Sequence, residues 1–122
     1  MKAEIKDIYS TDFNVDPLKS YQPKEIDNFG FLLDIELGIE DEIGADIFNI
    51  MICSPKWLIE NHNKDEIILG LHYIIMFEYD YQKLYKKLIE LMCIEGKDWV
   101  EITAKLRYIG HWEFEDYKPS IG

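Results

Sequence analysis

The stretch NFGFLLDIELGIE, Asn28 to Glu40, carries the strongest local signal in the chain. Phe29, Phe31, Leu33, Ile35, Leu37 and Ile39 take every odd position, and Asn28, Gly30, Asp34, Glu36, Gly38 and Glu40 take the even ones, with Leu32 the exception. A two-residue period sends successive side chains to opposite faces, so this is a strand with one buried face and one wet face. The acidic turn Glu40-Asp41-Glu42-Ile43-Gly44 follows, and Ala45 to Cys53 returns as a second strand with Phe48, Ile50 and Ile52 on one face. The two strands read as a β-hairpin with a longer loop.

Upstream, Lys2 to Ile8 alternates loosely and predicts a first strand at a sheet edge. Ser10 to Asp27, with Pro17 and Pro23, reads as irregular connecting chain. Downstream, Ser54-Pro55 opens a short helix through Asn61, with Ser as N-cap and Pro at the first helical position. The run IILGLHYIIMFEY, Ile67 to Tyr79, predicts a strand at the centre of the sheet. Leu69, Leu71, Tyr73, Ile75, Phe77 and Tyr79 form its main face, and Ile74 and Met76 make the other face partly apolar. Asp80 caps a helix to Glu95 that Gly96 closes, and Asp98 opens another, with Glu101 at the capping-box position and Gly110 at its end. His111 to Tyr117 reads as a short final strand. A hairpin-based sheet followed by consecutive helices predicts one α+β domain over residues 1–122, a mainly antiparallel sheet with helices packed on one face.

Charge is distributed unevenly. The chain has 24 acidic and 13 basic residues, a formal net charge of −11. Eight acidic residues and no Lys or Arg lie between Glu25 and Pro55. A one-signed field of this kind repels nucleic acid and anionic membrane and attracts basic proteins. The content of 48% hydrophobic and 14% aromatic residues supplies a core that an acidic disordered tail lacks. The N-terminus MKAEIKDIYS shows no secretory pattern and no apolar run reaches transmembrane length, so the expected location is cytoplasmic. Cys53 and Cys93 sit in apolar stretches and read as buried, reduced thiols.

Motifs for chemistry are lacking. His62, His72 and His111 have no HxH or HxxxH spacing, no EF-hand spacing occurs in the acidic turn, and no GxxxxGK[ST] or GxGxxG is present. Neither a metal nor a cofactor is expected. Asp34 and Glu36 fall on the wet strand face, where carboxylates keep ordinary acidity, rather than in an acid–base pair.

Four segments together point further: DNFGFLLDIELG (Asp27–Gly38), CSPKWLIEN (Cys53–Asn61), DEIILGLHYIIMFEYDY (Asp65–Tyr81) and IGHWEFEDY (Ile109–Tyr117). With them the chain resembles the immunity protein 8 family of bacterial polymorphic toxin systems. The resemblance implies an α+β protein that binds a cognate toxin domain in the cytoplasm and blocks it without catalysis. It supplies no catalytic residue, and Trp57, Trp112, Phe114 and Tyr117 are positions that hold the family's fold. Composition adds that a basic toxin domain, a nuclease for example, is met by an acidic partner through charge-steered association. The candidate toxin-binding patch is Asp34, Glu36, Glu40, Asp41, Glu42 and Asp46. Two alternatives are a small ligand-binding domain and an adaptor subunit that dimerises through a partly apolar second sheet face (Leu32, Met51, Ile74, Met76), leaving monomer and homodimer both open.

Overall fold

The computed structural model describes residues 1–115. Its elements are β1 (Ala3–Tyr9), β2 (Gly30–Ile39), β3 (Asp46–Cys53), α1 (Pro55–Asn61), β4 (Tyr73–Ile75), α2 (Tyr81–Met92), α3 (Trp99–Leu106) and β5 (His111–Trp112). They build an α+β fold on a mixed, mostly antiparallel five-stranded sheet.

The hairpin forms in the register that the alternation demands. Phe31 faces Ile52, Leu33 faces Ile50 and Ile35 faces Phe48 across the antiparallel β2–β3 pair. All six are buried and point to the same side. β1 pairs antiparallel with β2 at the sheet edge, and its register shifts between Ile5 and Asp7, so Lys6 is the extra residue of a bulge. The bulge lets Ala3 and Ile5 as well as Ile8 address the core across an odd separation.

Helices α2 and α3 cover that inner face. Leu84, Leu88 and Met92 of α2 and Ile102 and Leu106 of α3 are buried against the inner residues of β2 and β3. Each fully buried Leu or Ile side chain stabilises the fold by roughly 1.5–3 kcal/mol. The predicted caps are all in place: the side chains of Ser54, Asp80 and Asp98 accept from the backbone N–H groups of Trp57, Lys83 and Glu101. The helices are shorter than expected at their C-termini, ending at Met92 and Leu106.

The predicted central strand over Ile67–Tyr79 is not formed. Only Tyr73–Ile75 is a strand, at the sheet edge and parallel to β3. Gly70 and His72 both take the left-handed conformation, at φ of 74° and 63°, which breaks the extended run before Tyr73. The preceding residues are outside the core, with Ile67 98% and Leu69 87% exposed. The faces are also exchanged. Ile74, paired with Ile52, and Met76 pack against the core, whereas Ile75 and Phe77 are exposed. A shift of one residue reverses every side chain of a strand. β5 comprises only His111–Trp112 and flanks β3 antiparallel at Phe48 and Asn49, and Tyr117 lies outside the described residues.

Two glycines of β2 are sites of close approach on the outer face. A Cβ at Gly30 would overlap the Trp57 indole of α1, and one at Gly38 would overlap the Gly44 carbonyl oxygen. Gly30→Ala should therefore lower stability by about 1–3 kcal/mol, the usual cost of overpacking. Thermal melts of Gly30→Ala, Trp57→Ala and the double variant check this: the double variant should be more stable than the sum of the single losses allows.

Candidate functional site

The six predicted toxin-binding carboxylates differ in exposure: Glu40, Asp41 and Glu42 are exposed, Glu36 and Asp46 are half-buried, and Asp34 is buried. Glu40, Asp41 and Glu42 gather, exposed, at the tip of the β2–β3 hairpin. Asp41 sits at φ 68°, a conformation that Asp tolerates better than most residues. The turn then folds back so that Gly44 lies over Gly38. Among the described residues, none of the three carboxylates is ion-paired to a lysine or arginine.

Asp46 has a structural task. Its Oδ2 accepts from the indole Nε1 of Trp99 at 2.8 Å and from that of Trp112 at 2.9 Å. One oxygen at the start of β3 thereby ties down the first residue of α3 and the last of β5. The partners lie 53 and 66 residues away in sequence, so no local pattern announces them.

Asp34 is not a solvated carboxylate of ordinary acidity. It is only 7% exposed, and burial pushes its carboxyl above the usual range. Register explains this. Tyr9 of β1, Asp34 of β2, Asn49 of β3 and His111 of β5 lie side by side across the sheet. The Asn49 Nδ2 donates to Asp34 Oδ1 within this row. Flanking strands thus shield a residue that one strand's alternation assigns to water.

The same register maps the rest of the outer face. Toward Gly38, the next row is Asp7, Glu36 and Ile47. Asp7 stands directly opposite Glu36, an unfavourable placement of like charges. Glu113 joins this end: its N–H donates to the Ile47 carbonyl at 2.9 Å and its Oε1 accepts from the Ile47 N–H at 2.8 Å. Toward Gly30, the next row is Leu32, Met51 and Tyr73. The outer face is therefore acidic at one end and apolar at the other. Trp57 closes the apolar end over Gly30 and the hairpin turn closes the acidic end over Gly38. These glycines are eight residues apart on one strand, which spans about 26 Å. Tyr9 reports on the field between them: its hydroxyl is held above the usual range first by burial and then by Glu36, Asp34, Asp7 and Glu113.

Among the described residues, the histidines are engaged with other partners. His62 Nδ1 lies 2.7 Å from Glu66, and the His72 Nε2 donates to the Arg107 carbonyl at 2.6 Å. The His72 and His111 rings meet edge to face at 5.8 Å. Among the described residues, no group of three or more His, Cys, Asp or Glu is placed to hold a metal ion. Cys53 is buried and its thiol is pushed up by that burial, away from the reactive thiolate. Cys93, expected to be buried, is only partly so, at the position just past the last residue of α2. Among the described residues, no helix is long and apolar enough to cross a membrane.

The Asp46 contacts separate a structural carboxylate from a recognition carboxylate. Asp46→Ala should cost about 1–3 kcal/mol by leaving both indole N–H groups without their acceptor, whereas Asp46→Asn, which retains a side-chain carbonyl, should cost less. Denaturant melts followed by tryptophan fluorescence check the difference.

Among protein families, the model for immunity protein 8 matches residues 3–117. Neither the curated proteins nor the solved structures yield a match. The match spans every element of the sheet and all three helices. The chain belongs to the immunity protein 8 family.

Proposed function

We propose that this protein neutralises a cognate bacterial toxin domain by binding it, without chemistry of its own, in the cytoplasm of the cell that makes both. The observation that carries this reading is membership of an immunity-protein family over residues 3–117. The site's chemistry agrees with it. A general acid or nucleophile needs a partner group and a reachable reacting position, and Asp34 is held by an amide while Cys53 is enclosed in the core.

The toxin in this reading is basic. Glu40, Asp41 and Glu42 at the hairpin tip and Glu36 beside them set up the attracting field, to which Asp34 and Asp46 add charge from more enclosed positions. Long-range attraction of this kind chiefly raises the association rate and is screened by salt.

The test uses the toxin domain encoded beside this gene. Co-expression should restore growth, and the two purified chains should form a one-to-one complex. Raising salt from about 0.05 to 0.5 M should slow association about ten-fold or more while dissociation changes little. The triple variant Glu40→Gln, Asp41→Asn, Glu42→Gln should associate more slowly and show a weaker salt dependence. Failure of co-expression to protect would remove the neutralising function; a salt-independent association rate would remove only charge steering.

A further inference from the structure

Resting on the toxin-binding reading, we propose that the docking surface is the outer face of the sheet between Trp57 and the hairpin turn, and that its occupant is a segment of the toxin that pairs a cationic side chain with an apolar one. The cation settles between Asp7 and Glu36, with the enclosed Asp34 adding charge beside them, and the apolar side chain lies on Leu32, Met51 and Tyr73.

Three independent observations support this placement. The first is coverage. α2 and α3 both pack on the inner face, whereas among the described residues the close approaches to the outer-face glycines come at the two ends, from the Trp57 indole at Gly30 and from the Gly44 carbonyl and the Lys6 side chain at Gly38. The second is charge. Asp7 and Glu36 face each other directly, and Asp34 lies two residues from Glu36 on the same face. None of the three is ion-paired to a lysine or arginine among the described residues. The nearby Lys6 is taken up by Glu4 at 3.1 Å. Opposed carboxylates repel within the free protein, and a cation brought by a partner turns that repulsion into attraction from both sides. The third is the adjoining apolar row. Leu32 is 46% exposed although it lies within the chain's most regular strand. An apolar anchor beside desolvated charge is the composition that concentrates binding energy at protein interfaces.

The geometry limits what fits. A face about 26 Å long accepts roughly eight extended residues or about five turns of helix. The complementary pattern is Arg or Lys a short distance from a large apolar residue. The exposed hairpin-tip carboxylates lie at the acidic end of this face, where an approaching cation meets them first.

The experiment measures the affinity of the full chain for the neighbouring toxin domain by calorimetry, with thermal melts in parallel. Asp7→Asn and Glu36→Gln should each raise Kd about ten-fold or more, as should Leu32→Asp and Tyr73→Ala. The control Glu90→Gln, on the solvent side of α2, should leave Kd unchanged. Asp7→Asn and Glu36→Gln should keep or raise the melting temperature, because each removes like-charge repulsion; a binding loss with that stability gain is not a folding defect. Wild-type affinity in all four outer-face variants would overturn the docking surface and leave the neutralising function standing. Failure of the wild-type chain to bind the toxin domain at all would overturn both. Concentration-dependent dimerisation that Leu32→Asp abolishes without changing toxin affinity would assign the face to a second copy of this chain and overturn the proposal.

Discussion

The pairing of β2 with β3 is the constraint from which the rest follows. Eight consecutive residue pairs, Gly30 with Cys53 through Leu37 with Asp46, lock the two strands in a single register. That register puts Leu33, Ile35, Phe48 and Ile50 on one face, and α2 and α3 close over them. A slip by one residue would turn Asp34 and Glu36 into the core and the leucines to water, at a cost no other contact offsets. Once the inner face is committed, the composition of the outer face is committed too: acidic near Gly38, apolar near Gly30.

What was readable in the sequence was local. The alternation from Phe29 to Ile39 lies within one strand, and Ser54, Asp80 and Asp98 each cap a helix that begins at the next residue. The family resemblance was also readable, because its segments are short and contiguous. What was not readable depended on strands meeting. Asp34 looks solvated from β2 alone, and only the neighbours Tyr9 and Asn49 enclose it. Asp46 looks like one more acidic residue near a turn until two distant tryptophans are brought to it.

The misplaced strand has a different cause. In Ile67 to Tyr79 apolar residues occupy both parities, so alternation alone does not select a face. Gly70 inside the run is a breaker signal that the apolar content outweighed. With Gly70 and His72 in left-handed conformations, the strand starts late, and Ile74 rather than Tyr73 turns inward. Leu32 shows how the same kind of exception can be informative. It interrupts the polar positions of β2, and in the fold it joins Met51 and Tyr73 as the apolar end of the outer face.

In the docking surface we propose, the two faces divide the labour: one face consumes the apolar residues needed for stability, and the other sets Asp7 and Glu36 beside exposed apolar surface. Carbodiimide labelling of carboxyl groups, read by mass spectrometry on the free chain and on its complex with the toxin domain, tests this most directly. Protection of Asp7 and Glu36 on complex formation, with Glu90 and Glu95 labelled as before, is the predicted result. Unchanged labelling of Asp7 and Glu36 together with protection of Glu90 and Glu95 would contradict the account.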